Sequence, residues 1–277
     1  AWLHIQDYEM DAAFELGLLK GIMLRGLVAA CERWMMRRFD RISTISQRMF
    51  DRAVTKGIAP KHVVLFPNWV DLSSIQNGVS KLNRYREELT ISPDAVVALY
   101  SGNMGGKQGL EILAQVARLL RNVPNLIFIF CGNGTGRDDL IALCNGLPNV
   151  QIIDLQPIER LGELLTMADI HLLPQRADAA DLVMPSKLTG MLASGRPVVA
   201  TAHPDTELAK VVSACGLVVK PEQPQAFADA IRVLAQDVEL RIRLGLAGRV
   251  YAEENLNRDV VLGRFETELK NLVKAED

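Results

Sequence analysis

Met184-Pro185-Ser186-Lys187-Leu188, running on to Gly195-Arg196-Pro197-Val198-Val199-Ala200, reads as a loop, a short helix and a buried strand. Pro185 suits a first helical position and Ser186 can cap exposed amides. Gly195 and Pro197 stop the helix before the apolar run. The start of such a helix offers unpaired N–H groups, and Lys187 adds a positive charge beside them. A corner of this kind suits a diphosphate. Taken alone, the segment also fits an ordinary βα turn.

Outward from it the pattern is regular. Val96–Tyr100, Leu126–Cys131, Val150–Ile153, Ile170–Leu173, Val198–Thr201 and Leu217–Val219 read as strands. Lys107–Leu120, Asp138–Leu147, Glu159–Ala168, Ser186–Ala193, Glu207–Ala214 and Gln225–Leu234 read as helices between or after them. Strands apolar on both faces and separated by helices imply an α/β domain with a doubly wound, Rossmann-like parallel sheet. Its ligand belongs beyond the C-terminal strand ends, where the loops after Tyr100, Cys131, Ile153 and Leu173 converge.

The opening seventy residues form a different unit. Trp2–Gln6, Arg41–Ile45 and Val63–Phe66 read as strands. Gly17–Phe39 reads as a helix with a break near Gly26, and Ser46 caps another helix ending at Gly57. Too few strands are present for a complete sheet, so the expectation is a partial, truncated Rossmann-like domain over 1–72. The expected C-terminal domain covers 73–255, entered through a polar link at Ser73–Glu88. A last helical segment, Leu256–Lys274, belongs to 256–277.

Composition narrows the chemistry. A net charge of −2 gives no reason to expect nucleic acid. Cys31, Cys131, Cys144 and Cys215 are scattered, mostly in apolar runs, and read as reduced core residues of a cytoplasmic protein. His4, His62, His171 and His203 show no metal-ligand spacing, so no metal is expected. His171, inside an apolar strand, reads as a packed core histidine. No apolar run approaches about 18 residues, the length of a spanning helix, and no secretory signal opens the chain. Lys20, Arg25, Arg33, Arg37, Arg38 and Arg41 stand among Leu, Met, Trp and Phe. Such a basic amphipathic helix suits the surface of an anionic membrane, and equally an ordinary helix with a solvated basic face.

Two glycine loops follow strands. In Ser101-Gly102-Asn103-Met104-Gly105-Gly106-Lys107 the glycines let backbone amides approach a phosphate that Lys107 neutralises. The loop is one residue short of a Walker A motif, and Gln108 replaces its Ser/Thr. In Cys131-Gly132-Asn133-Gly134-Thr135-Gly136-Arg137 a dinucleotide fingerprint fails at Arg137, which disfavours a dehydrogenase. That loop reads as kept small so that a flat group can approach. Each loop alone also fits a turn with no ligand. Arg176, Asp178 and Asp181, after strand Ile170–Leu173, stand at the mouth of the expected cleft.

The two loops, Pro185-Ser186-Lys187-Leu188, Ala193-Ser194-Gly195-Arg196-Pro197-Val198-Val199 and the upstream Phe66-Pro67-Asn68-Trp69-Val70-Asp71 fall in an order that resembles the family-four retaining glycosyltransferases of the GT-B fold. The likeness is strongest to the bacterial exopolysaccharide branch, including colanic-acid-type enzymes, and covers nearly the whole chain. It implies a hexosyltransferase that moves a sugar from a UDP- or GDP-sugar to a glycan acceptor, lipid-linked by expectation, with retention and without a metal. It implies a cytoplasmic enzyme with peripheral contact at the inner membrane. It places Asn68–Asp71 near the hinge and makes Leu256–Lys274 the return helix.

Position by position, Lys107 resembles the lysine that meets the donor diphosphate. Gly102, Asn103 and Gly106 belong to the same loop, Asn103 standing where many members have arginine. Gly132 and Gly134 resemble the loop near the base, and Gln156 and Pro157 stand where backbone groups meet the base edge. Pro185, Ser186 and Lys187 resemble the phosphate-binding Pro-Ser-Lys variant. Two family glutamates are replaced, one near Leu182 and one at Gly190, so Asp181 is the expected substitute toward the ribose. Asp7 corresponds to a polar catalytic position, making Asp7, Lys107 and Lys187 the expected catalytic set. The replacement at Gly190 also admits a degenerate, non-catalytic assembly partner, and the architecture admits a nucleotide-sugar epimerase.

Overall fold

The computed structural model describes every residue except 9, 11–13, 15–20, 76–82, 106–108, 178–183 and 275–277. Contacts divide the chain into two units, one built on Ala1–Trp69 with Arg258–Asp277, the other on Val70–Ala179 with Ser186–Asn257.

In the first unit, β1 (Trp2–Ile5), β2 (Arg41–Thr44) and β3 (Val63–Leu65) form a parallel sheet in that order. Helix α1 (Ile22–Met36) runs through Gly26 without the expected break, with open space at the Cβ position of that glycine. Helix α2 (Gln47–Thr55) is capped as expected, Ser46 Oγ accepting from the amide of Met49 at 3.3 Å. Leu3, Ile5, Ile42 and Val63 meet Met36, Ala53 and Ile58 on one side of the sheet. On the other, Trp2 Nε1 donates to Ser43 Oγ at 2.9 Å, and His4 Nδ1 lies 2.8 Å from the same oxygen. The rings of Trp2 and Phe66 pack 4.7 and 4.6 Å from Phe265 of the C-terminal helix Arg258–Lys274. That helix starts two residues later than the sequence pattern suggests.

The second unit holds β4 (Val96–Ser101), β5 (Leu126–Cys131), β6 (Val150–Ile153), β7 (Ile170–Leu173), β8 (Val198–Thr201) and β9 (Gly216–Val219). All pairings are parallel, in the order β6-β5-β4-β7-β8-β9. The expected strands are all present. Their residues alternate between two cores, which is why both faces are apolar. Ala98, Tyr100, Phe128 and Phe130 pack against Phe227 and Ile231 on one side. Val97, Leu99 and Ile129 pack against Tyr85, Leu164 and Met167 on the other.

The segment expected as a polar link contributes structure instead. Helix α3 (Arg84–Glu88) buries Tyr85 and Arg86. Arg86 donates Nη1 to Ala95 O at 3.1 Å and Nη2 to Met167 O at 3.0 Å, and pairs with Asp169 at 2.6 Å. Asp169 in turn accepts the amide of Val97 at 2.8 Å, so one buried cation ties the starts of β4 and β7 together. A buried guanidinium is tolerated because carbonyls and a carboxylate satisfy it. Helices α4 (Glu111–Leu119), α5 (Arg137–Cys144), α6 (Leu161–Met167), α7 (Lys187–Ala193), α8 (Glu207–Cys215) and α9 (Pro224–Gln236) follow the expected succession.

A second helix also escapes the sequence reading: α10 (Val238–Asn255). Its buried contacts are Gly245, Gly248 and Ala252 rather than a stripe of large apolar side chains. A Cβ on Gly245 would lie 2.1 Å from the carbonyl oxygen of Gly195, and one on Gly248 3.2 Å from Leu192 Cδ2. Helical glycine normally costs about 1 kcal/mol relative to alanine. Here overpacking against backbone, at about 1–3 kcal/mol, outweighs that gain. Gly245→Ala should therefore lower the unfolding midpoint. Gly263→Ala, in the C-terminal helix with nothing within 4 Å of its Cβ position, should raise it. Thermal or urea unfolding monitored by circular dichroism checks the opposite signs; equal shifts would refute the packing argument.

Candidate functional site

Strand β4 is flanked by β5 on one side and β7 on the other, so chain progression reverses between β4 and β7. Loops at the C-terminal ends of these two strands leave in opposite directions and open a crevice, the usual ligand position in such sheets.

Two loops on one side of the crevice are fastened to each other. Gly102 donates to Cys131 O at 3.0 Å, Met104 to Asn133 O at 2.8 Å, and Gly136 to Met104 O at 2.7 Å. The approach is possible only without side chains. A Cβ on Gly132 would fall 1.9 Å from Gly102 O, and one on Gly134 2.6 Å from both Asn103 Oδ1 and the Met104 carbonyl carbon. Both glycines have positive φ, 153° and 151°. Smallness in the second loop therefore serves the first loop directly, a use that the sequence reading did not anticipate. The Met104 side chain is fully buried beneath the join.

Lys187, the first residue of α7, comes to this corner. Its Nζ lies 4.6 Å from the centroid of the Tyr100 ring and donates to the Tyr100 hydroxyl at 3.4 Å. That hydroxyl donates onward to Asn103 O at 2.6 Å. A Cβ placed on Gly102 would be 3.6 Å from the ammonium, which puts the lysine against the first glycine of the loop. Burial pushes the Lys187 pKa down to about 8. A partly desolvated ammonium beside a ring face favours an anion that restores its charge.

The loop after β6 is held by side chains. Gln156 Nε2 donates to Asp154 O at 2.7 Å and its Oε1 accepts from the Tyr85 hydroxyl at 3.0 Å. Arg137 at the start of α5 pairs with Asp154 at 2.6 Å. Arg160 covers the Tyr85 ring at 3.9 Å while bonding both Glu88 oxygens at 3.1 and 3.0 Å. The Gln156 side chain is thus committed to positioning its own loop through Asp154 O, leaving backbone groups of 155–157 to meet a ligand. Pro157 is exposed beside it.

Several expectations need correction. Ser186 has helical backbone angles and makes no side-chain cap, and Pro185 precedes the helix rather than opening it. Ser186 O instead accepts from Thr189 Oγ1 at 2.8 Å. The Gly190 position faces α6, its Cβ site 3.0 Å from Leu165 Cδ1. Cys31 is exposed, unlike the other three cysteines. His171 is indeed a core residue: Nε2 lies 2.9 Å from Ser194 Oγ, and burial lowers its pKa to about 3, keeping it neutral. Arg176 is exposed and its chain runs over Gly109, whose Cβ site is 3.0 Å from Arg176 Cγ. Asp7, in the first unit, lies just past β1 and lines a cavity of about 360 Å³ with His4, Tyr8, Glu32 and Met36. Gly106, Lys107, Asp178, Asp181 and Leu182 lie outside the described residues. Among the described residues no cluster of His, Cys, Asp or Glu could hold a metal ion.

Gly102, Asn103, Gly132, Gly134 and Lys187 are therefore brought together, with the Gln156 loop beside them. The sequence reading missed Tyr100, Tyr85 and the Arg137–Asp154 pair. Tyr100 sits at the end of an apolar strand, where a hydroxyl gives no periodic signal of its own.

The chain is similar to known glycosyl transferases. A profile described as Glycosyl transferases group 1 matches residues 95–237, which span the whole six-stranded sheet. Over 277 residues the chain is 38% identical to WcaI of Escherichia coli K12, a glycosyl transferase assigned to colanic acid biosynthesis, covering 97% of this chain and 67% of that protein. It is 26% identical over 228 residues to a D-inositol 3-phosphate glycosyltransferase of Corynebacterium kroppenstedtii, covering 78% of this chain and 50% of that one. The chain thus spans from half to two thirds of the length of these relatives. Among solved structures, Anabaena HepE in complex with UDP superposes with a TM-score of 0.80 at 15% identity, covering 98% of this chain and 72% of HepE. A profile match over more than half of its length, on an α/β fold of the GT-B class, makes this chain a member of the group 1 glycosyl transferases.

Proposed function

We propose that this protein transfers a sugar from a nucleoside-diphosphate sugar to a glycan acceptor in bacterial surface-polysaccharide synthesis. The observation that carries the reading is the Lys187 ammonium, held over the Tyr100 ring against Gly102 at the reversal point of the sheet. Breaking the glycosidic bond leaves negative charge on the distal phosphate. A fixed cation in a poorly solvated corner stabilises that charge more as it develops than before. The backbone of 155–157 is assigned to the base, and Lys107 to the diphosphate alongside Lys187. Resemblance to WcaI favours an exopolysaccharide acceptor, and the UDP complex of HepE makes a uridine nucleotide the first donor to try. Retention of configuration and a lipid-linked acceptor belong to the same proposal.

Gly190 supports a second reading. No side chain at that position reaches toward a ribose, as expected of a non-catalytic partner that still binds nucleotide. Turnover by the full-length protein separates the two: product formation from a donor and acceptor excludes it.

Isothermal calorimetry with UDP, GDP and their sugars tests the donor site. Lys187→Ala should weaken nucleotide-diphosphate binding by about tenfold or more, the worth of one charge-assisted hydrogen bond. No nucleotide bound by a folded sample would defeat the proposal. The depressed lysine pKa adds a pH signature. Below about pH 8 the ammonium is present in the free protein. Above it the lysine is largely neutral, and binding an anion must first recharge it. Affinity should therefore fall as pH rises through 8 to 10, with net proton uptake on binding, and Lys187→Arg should flatten this dependence. A wild-type affinity independent of pH across that window would remove Lys187 from the phosphate. No metal is assigned to the leaving group, so EDTA should leave nucleotide affinity unchanged; a loss of binding would overturn that part.

A further inference from the structure

Helix α7 is only seven residues long, too short to fix itself, and Ser186 gives it no side-chain cap at the start. Its far end is held instead. The last four carbonyls of a helix have no partner within it, yet here each has a donor. Ser194 N–H donates to Gly190 O at 3.0 Å and to Met191 O at 3.3 Å, and Gly195 N–H donates to Leu192 O at 3.1 Å. Ser194 Oγ gives its proton to Met191 O at 2.6 Å, and Arg249 Nη1 donates to Ala193 O at 2.6 Å. The guanidinium also sets a full positive charge at the negative end of the helix.

Two of these contacts come from segments remote in sequence. Arg249 lies on α10, whose Gly245 and Gly248 let that helix close on Gly195 and Leu192. Its Nη1 also donates to Ile75 O at 3.1 Å, and its Nε to Glu253 Oε1 at 2.7 Å. Ile75 is buried, and the neighbouring Ser74 O stands 2.0 Å from the Cβ position of Gly162, so this second acceptor is itself fixed. The other contact is His171 on β7. Because Ser194 Oγ gives its own proton to Met191 O, it accepts from His171, and the hydrogen sits on Nε2, 2.9 Å away. His171 Nδ1 is then bare, buried and without a partner. An unpaired buried nitrogen costs stability that a leucine in this apolar strand would not. The N–H toward Ser194 is what accounts for a histidine there.

We propose that Arg249 and His171 are positioning residues for the donor site: they seat the C-terminal end of α7, and the helix carries that placement to Lys187. The lever is short. At about 1.5 Å per residue, Lys187 stands about 9 Å along the axis from the seat at Ala193. Loosening the seat lets the ammonium leave the Tyr100 ring and the edge of Gly102. The consequence for binding rests on the proposed contact of Lys187 with the donor diphosphate; the seating of the lysine does not.

Nuclear magnetic resonance of the whole chain labelled with ¹³C-lysine reads the seat directly, the Lys187 Cε signal being assigned by its loss in Lys187→Arg. In the wild type it should titrate near pH 8, where burial holds this ammonium. In Arg249→Met the midpoint should rise toward the ordinary lysine value of 10.5 as the ammonium swings into water. UDP affinity, by calorimetry, should fall about fivefold. Arg249→Lys keeps the charge without the fork that spans two carbonyls, and should recover part of both effects. Ser194→Ala removes the acceptor of His171 with little change in volume. It should move both readings the same way by less, and serves where Arg249→Met does not fold. Leu120→Ala, a core truncation at the end of α4, should lower the melting temperature and leave the Lys187 midpoint in place. A wild-type midpoint in folded Arg249→Met, or in Ser194→Ala where that variant does not fold, overturns the proposal. So does an equal shift in Leu120→Ala, which would reduce the effect to lost stability. A shifted midpoint with nucleotide binding absent or unaltered supports the seating and defeats the diphosphate contact instead.

Discussion

The carbonyl of Gly102 occupies the space from which a side chain at residue 132 would grow, only 1.9 Å from the Cβ position. That near-contact lets the loops after β4 and β5 bond to each other through backbone groups. Once joined, they form a single rigid rim. Asn103 O is then fixed where the Tyr100 hydroxyl can reach it, and the oriented phenol offers its oxygen to Lys187. Any larger residue at 132 would separate the loops and release this chain of contacts. Positive φ at both Gly132 and Gly134 sharpens the requirement, because side-chain-bearing residues avoid that backbone region.

Electrostatics at the rim follow from burial. The ammonium of Lys187 has lost much of its water and gained an aromatic face and a phenol oxygen. That loss of water is what lowers its pKa. Such a group is already oriented and incompletely stabilised, which is the preorganised state that charge development in a reaction can exploit. At the opposite end of the strands from this corner, the Arg86–Asp169 pair shows the contrasting arrangement. There a buried cation has three carbonyl contacts and a carboxylate, and serves to join strands.

Two helices show why hydrophobicity alone misplaces a helix. Helix α10 packs tightly through Gly245, Gly248 and Ala252, so its buried side carries almost no apolar signal. Arg249 reinforces it by donating to Ile75 O at 3.1 Å and Ala193 O at 2.6 Å. Helix α1 has the opposite character, with large apolar side chains directed to solvent. Periodicity identifies an apolar face when the partner surface is made of side chains. It fails when the partner is backbone, and it cannot say whether the partner belongs to the same chain.

Strand positions in the second unit were legible because the central strands β4, β5, β7 and β8 are largely buried on both faces, so they appear as mostly apolar runs with glycine or proline close to their ends. The ordered glycine loops and Lys187 were legible through their spacing after those strands. Ser186 misled, because a serine before a helix is read as a cap by residue type alone, whereas its helical backbone angles keep the hydroxyl from the free amides. The roles of Gly132, Tyr100 and Tyr85 came only with tertiary structure. Each depends on a distance between segments that are remote in sequence: Gly132 to Gly102, Tyr100 to Lys187, Tyr85 to Gln156. Local sequence specifies backbone preference and burial, but not which carbonyl will stand opposite a missing side chain.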